Sequence, residues 1–378
     1  ETFMRAIKPL IAALGLSISF TALADTQVSI DTTKPGPVIN KNIYGQFAEH
    51  LGRGIYEGIW VGPKSKTPNT KGWRNDVVGA LKDLQVPLVR WPGGCFADEY
   101  HWREGIGPRD KRPARVNTNW GGVIEDNAVG THEFFDLVEM LGAEAYVNGN
   151  LGTGTPQEMA EWLEYMTSDS KSTLAELRRK NGRDKPFRVH YFAIGNEAWG
   201  CGGNMTPEFY THLYKQYASF LKTPKDNTPV LIASGGHTED TSWADHLTAN
   251  VKPNWALRMD AVSFHYYTLP TGDWGVKGAA TGFPESEWMS TMAAALKIGT
   301  QIKENVAVLD KTLPSPLAPQ SDEERSGLEA DDAPLYQVSA HAGRDLGGVV
   351  ADIRAGVDRA VLVPHWSTSR SFSVETGG

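Results

Sequence analysis

Apolar residues fall into two alternating registers along most of this chain. Short apolar runs at residues 43–47, 87–91, 143–148, 189–194, 230–233 and 261–264 have the length and character of buried strands. Between them, apolar positions recur three and four residues apart, as in Val77, Val78, Leu81 and Leu84, or Phe134, Phe135, Leu137, Val138 and Leu141. That spacing predicts amphipathic helices. Thr206-Pro207 opens another helix, with a hydroxyl at the N-cap and proline at the first helical position. A shorter alternating segment at 27–30 reads as an additional strand.

Repeated strand–helix alternation implies a parallel sheet covered by helices. Each of the six units ends in a loop rich in Gly, Asn, His or Trp, and no GxGxxG follows the first strand. Both features favour a closed barrel over a doubly wound sheet. The expected class is therefore α/β, a (β/α)8 TIM barrel that is incomplete after its sixth β/α unit. The alternation stops after a helix predicted over 285–310. A proline-rich stretch at 312–319 follows, then an acidic segment rich in Ser and Ala. Residues 311–378 read as an aberrant or disordered tail, with the composition either of a coding sequence read in a shifted frame or of a natural disordered segment. A strand over 347–353 is the one element expected there.

The first residues have a different character. Arg5 and Lys8 precede an apolar run from Leu10 to Phe20, then Thr21-Ala22-Leu23-Ala24. A basic start, a short apolar stretch and small residues predict a bacterial-type signal peptide over 1–24, with 1–3 an upstream remnant. The expectation is export to the periplasm or the medium, no membrane attachment after cleavage, and a barrel domain over 25–310. A net charge of -8 without a basic stripe excludes a nucleic-acid surface. The 12 Trp serve equally well as core filling or as flat platforms for sugars. Cys95 and Cys201 allow one bridge or two free thiols. No metal-ligand spacing is present among the Cys and His residues, so neither metal nor organic cofactor is expected.

In such a barrel the chemistry gathers at the C-terminal ends of the strands. Those ends carry Glu49-His50, Arg90-Trp91-Pro92-Gly93-Gly94-Cys95, Asn148-Gly149-Asn150, Gly195-Asn196-Glu197 and His265-Tyr266-Tyr267. The sharpest is Asn196-Glu197, a carboxyl at the barrel mouth with an amide beside it. Cleaving a glycosidic bond takes one carboxylic acid to protonate the leaving oxygen and a second carboxylate across the sugar ring. Burial among aromatic rings would tune that acid, and the amide can bind a sugar hydroxyl.

The runs Ile43-Tyr44-Gly45-Gln46-Phe47-Ala48-Glu49-His50, Arg90 to Phe96, Trp102-Arg103-Glu104-Gly105-Ile106-Gly107-Pro108 and Gly195-Asn196-Glu197 resemble glycoside hydrolase family 51 α-L-arabinofuranosidases, over about residues 28–310. The resemblance implies an exo-acting retaining enzyme that removes terminal arabinofuranosyl residues from arabinan or arabinoxylan. It makes Glu197 the general acid/base and Asn196 a ligand of the sugar. Glu49 would contact the arabinose hydroxyls, and His265 and Tyr267 would line the sugar pocket. Cys95 stands where many members carry Asn. The family's nucleophile lies in an Asp-Glu-Trp-Gly sequence closing the seventh strand, and this chain has none. Glu323, Glu324 and Glu329 lie at about the right distance but read as solvated acids, so the nucleophile is not identified. The family's C-terminal β-sandwich is missing as well. An inactive homologue, or another barrel glycosidase such as a xylosidase, is the alternative. Oligomeric state is left open.

Overall fold

A computed structural model describes residues 40–237, 240–252, 254, 256–279, 281–312, 335–342, 348–354 and 360–364. The predicted signal segment, the strand expected at 27–30, and Glu323, Glu324 and Glu329 lie outside the described residues. Among the described residues, nine strands form one sheet in chain order. They are β1 (Gln46–Phe47), β2 (Leu88–Trp91), β3 (Glu144–Gly149), β4 (Tyr191–Ile194), β5 (Val230–Ala233), β6 (Ala261–Thr268), β7 (Leu335–Ala342), β8 (Gly348–Arg354) and β9 (Ala360–Pro364). The first six pair in parallel throughout and curl as part of a barrel. The expected incomplete (β/α)8 barrel is therefore the architecture.

Helices occupy the connections, as α1 (Asn75–Asp83), α2 (Thr131–Leu141), α3 (Pro156–Thr167), α4 (Thr173–Lys180), α5 (Pro207–Phe220) and α6 (Ser242–Asn250), with α7 (Glu285–Ala295) and α8 (Lys297–Thr312) after β6. Helix α5 starts as read, with the Thr206 hydroxyl accepting from the Phe209 amide and Pro207 next. Helix α3 repeats that solution with Thr155 and Pro156.

Several boundaries differ from the expectation, among them the strands at Tyr191–Ile194 and Ala261–Thr268. The first strand is shortened because Lys41–Tyr44 form a 3-10 turn capped by the Asn40 side chain. The helix predicted over 285–310 is two helices, meeting at Leu296.

The tail departs further. β7 runs parallel to β6, so a seventh strand stands where none was expected. Its alternation of Tyr336, Val338, Ala340 and Ala342 with Gln337, Ser339 and His341 is the strand signal that a search for longer apolar runs passes over. β8, close to the strand expected at 347–353, and β9 are antiparallel, which breaks the β/α alternation.

Strand periodicity divides the core. One side of the sheet packs Leu88, Tyr146, Tyr191, Ala193, Ile232 and Ala261 together in the barrel interior. The other side carries Val89, Trp91, Val147, Phe192, Ile194 and Phe264 into the larger cluster beneath the helices. Trp91 stacks on Phe134 there and meets Trp162 edge-on. Trp60, Trp73, Trp91, Trp102, Trp162 and Trp243 are buried, so much of the tryptophan content is core. Trp274 and Trp288 are exposed.

Candidate active site

The interior row of alternating side chains ends in polar groups where the strands open. Leu88 faces inward, and two residues later so does Arg90; Tyr146 is followed by Asn148 in the same way. On β6 the inward row is Ala261, Ser263, His265 and Tyr267. The same period that builds the core therefore delivers a ring of polar side chains to one end of it.

Arg90 is the centre of that ring, 2% exposed. It forms an ion pair with Glu49, donates through Nη2 to Asn196 Oδ1 at 2.6 Å and through Nε to Asn148 Oδ1 at 3.3 Å. Asn148 in turn donates to the Gly93 carbonyl at 2.9 Å. Gly93, at φ +123°, admits this approach. A Cβ there would stand 2.5 Å from the Glu49 Cβ. One guanidinium thus fixes a carboxylate from the end of β1 and an amide from the end of β4.

Glu197 lies next to that amide, 7% exposed. Its Oε1 pairs with His265 Nδ1 at 2.7 Å and accepts the Tyr267 hydroxyl at 3.0 Å. Burial pushes the Tyr267 hydroxyl far above its ordinary pKa, and the Glu197 charge adds to the rise. Tyr267 therefore stays a donor. His237, across a bridge from His265, stacks flat on Trp199 with centroids 3.7 Å apart. Burial lowers the His237 pKa, with Glu197 pulling the other way.

Cys95 and Cys201 are bonded to one another, which removes the free-thiol alternative. The bridge ties the loop after β2 to the loop after β4, and Cys201 Sγ lies 3.5 Å from Glu197 Oε2. Glu197 and the two sulfurs sit close enough together to resemble a metal cluster, but disulfide sulfurs are not thiolate ligands.

The structure thus brings Glu49, Asn196, Glu197, His265 and Tyr267 together around Arg90, with Cys95 joined to them through the bridge. Sequence reasoning gave no role to Arg90, Asn148, Trp199 or His237. Arg90 was findable, as a lone cation in an otherwise apolar strand. His237 was not, because its place depends on the pairing of β5 with β6.

His50 was read only as part of a strand-end run, and it serves structure. Its Nδ1 pairs with Glu125 at 2.9 Å, its Nε2 accepts from Trp91 Nε1 at 3.1 Å, and both residues are buried.

Residues 80–276 match the α-L-arabinofuranosidase 1 domain. An intracellular exo-α-L-arabinofuranosidase of Bacteroides ovatus is 51% identical over 79% of this chain and 57% of its own length. α-L-Arabinofuranosidase C of Emericella nidulans is 43% identical over 60% of this chain and 45% of its own. The crystal structure of the GH51 arabinofuranosidase from Xanthomonas axonopodis pv. citri superposes with a TM-score of 0.71 at 48% identity, covering 75% of this chain and 56% of that one. The chain spans about half the length of these relatives. The expectation of export is corrected here: the Bacteroides ovatus relative is an intracellular enzyme, and an apolar, basic N-terminal stretch does not outweigh that likeness.

Proposed function

Because the chain belongs to the family of the α-L-arabinofuranosidase 1 domain, that of glycoside hydrolase family 51, we propose that it carries the acid/base and sugar-binding side of an exo-acting retaining α-L-arabinofuranosidase. Its substrates are terminal α-L-arabinofuranosyl residues of arabinan or arabinoxylan. The observation that carries this reading is the buried Glu197 carboxyl, gripped through Oε1 by His265 and Tyr267 and flanked by Asn196.

In this mechanism Glu197 gives its proton to the departing glycosidic oxygen. It later takes one from the water that releases the sugar. Asn196 donates from Nδ2 to the sugar's 2-hydroxyl, since its Oδ1 is occupied by Arg90. Glu49, held by Arg90, accepts from the sugar's other hydroxyls. The rate of 4-nitrophenol release from 4-nitrophenyl α-L-arabinofuranoside by the full chain, set against the β-D-xylopyranoside, tests the assignment. Faster release from the xyloside would support a xylosidase instead.

The second carboxylate of a retaining pair stands about 5–5.5 Å from the first. Glu49 is not proposed for that role, because in this reading its ion pair with Arg90 holds it among the sugar-binding groups beside Asn196. A mechanism-based arabinofuranosyl label, located by peptide mass mapping, is expected to leave residues 40–312 unmodified. An adduct on Glu49 would reverse its role. No Asp or Glu stands in Leu335–Ala342, so β7 itself offers no substitute.

Asn196→Ala should lower kcat about 10²–10³-fold while raising KM little, because the 2-hydroxyl hydrogen bond strengthens as positive charge develops on the ring. A variant with normal kcat and a raised KM would instead make Asn196 a ground-state binding group.

A further inference from the structure

The mechanism makes no use of Asp98, yet this carboxylate is among the most enclosed in the molecule, at 4% exposed. It lies in the 3-10 turn Cys95–Glu99 after β2. Its Oδ1 accepts from the Leu151 and Gly152 amides at 2.9 and 3.0 Å. Its Oδ2 accepts from the Asn196 amide at 3.0 Å. A single carboxylate therefore gathers backbone donors from the ends of both β3 and β4. The turn's backbone joins in, because the Asp98 carbonyl accepts from the Thr153 amide and hydroxyl at 3.0 Å each.

The surroundings leave no slack. A Cβ on Gly202 would stand 2.5 Å from Asp98 Oδ2, and one on Gly152 would stand 2.8 Å from the Asp98 Cβ. Gly195, at φ +82°, makes the turn that directs the Asn196 amide at Asp98. Burial pushes the Asp98 carboxyl up to about 6, opposed by the three amides and by Arg90. On the other side of Asn196, its carbonyl accepts from the Ser234 hydroxyl, which also receives the Ala198 amide at 3.2 Å. The backbone of Asn196 is therefore held from both directions, Asp98 on its N–H and Ser234 on its C=O.

We propose that Asp98 is a positioning residue for glycoside cleavage, aiming Asn196 and Glu197 by fixing the peptide from which both side chains project. The assignment rests on the reading of Glu197 as acid/base. A carboxylate suits the task because every group it faces here is a donor. A neutral amide in its place would turn an N–H toward one of them. The reward is geometric: catalytic side chains displaced by as little as an ångström lose much of their rate advantage.

Two variants of the full chain test the proposal. Asp98→Asn keeps shape and one acceptor oxygen but cannot accept all three amides. Gly202→Ala keeps the carboxylate and crowds Oδ2, and its Cβ also comes within 2.9 Å of the Glu197 carbonyl oxygen, so its effect is read beside that of Asp98→Asn. The readouts are hydrogen exchange followed by mass spectrometry for peptides covering 194–199 and 150–153, the melting temperature, and kcat and KM on the aryl arabinofuranoside. Loss of a buried hydrogen bond predicts exchange about tenfold faster in 194–199 in both variants. The melting temperature should hold within a few degrees. kcat should fall by about tenfold or more at nearly constant KM. Unchanged exchange in 194–199, exchange accelerated throughout the chain, or altered exchange with unaltered kcat would each overturn the proposal. Should the wild-type chain release no nitrophenol, the proposed activity falls, while the exchange of 194–199 still decides whether Asp98 holds that peptide.

Discussion

Replacing Glu197 with Gln, in an intact enzyme that also supplies the second carboxylate, should slow hydrolysis of alkyl arabinofuranosides by about 10³–10⁴-fold, near the upper range for loss of a general acid. The amide preserves the side chain's shape and keeps an oxygen to accept from Tyr267, so folding should be little disturbed. An activated aryl leaving group departs without a proton, so for 2,4-dinitrophenyl arabinofuranoside the first step should survive. Release of the sugar then becomes limiting, because no base remains to activate water. Azide, which needs no base, should restore turnover and give the arabinofuranosyl azide with retained configuration. Equal losses on both substrates, with no azide product, would remove Glu197 from the acid/base role. The same variant separates Glu197 from its neighbours. Tyr267→Phe deletes one donor to Oε1 and should shift the pH profile without azide rescue, because the carboxyl itself remains.

Much of this site was legible in the sequence because strand periodicity is a local property. Gly195-Asn196-Glu197 follows four consecutive apolar residues, so its place at a strand end can be read directly. His265 and Tyr267 share a face through their two-residue spacing. Arrangements set by strand pairing were less accessible. The Trp199–His237 stack depends on which strands are neighbours and on the path of each loop. Nothing local in the sequence marks Asp98, since its three partners lie 53 to 98 residues away. The Cys95–Cys201 bridge was one of two open alternatives, because a separation of 106 residues carries no signal of proximity. In the tail, the proline-rich stretch and the acidic, Ser- and Ala-rich segment after it suggested disorder. Strand alternation there rests on Ala and Val rather than on large side chains.

The second large effect belongs to Arg90, which stood in a strand-end run of the sequence without a role of its own. Arg90→Met keeps the length and volume of the side chain while removing the charge that Glu49 and Asn196 face. Removing one member of a buried ion pair typically costs about 3–5 kcal/mol, because the remaining charge has no partner and little water. The variant should therefore unfold at markedly lower urea concentration with an unchanged slope, the sign of a stability loss rather than a different denatured state. Sugar binding should weaken as well, since both Glu49 and Asn196 are oriented by the same guanidinium. A second substitution separates these consequences. In Arg90→Met/Glu49→Gln the orphaned charge is gone, so most of the stability should return, the non-additivity expected of groups in contact. Sugar binding should not return with it, because Glu49 has lost its charge and Asn196 remains unanchored. If the double variant recovers binding together with stability, Arg90 serves only to neutralise Glu49. If it recovers neither, the cost lies in packing, where Arg90 lies over the Phe47 and Tyr146 rings at 5.1 and 5.6 Å. Recovery of stability alone is the expected result, and it would place Arg90 as the residue that turns the barrel's interior row of side chains into a sugar site.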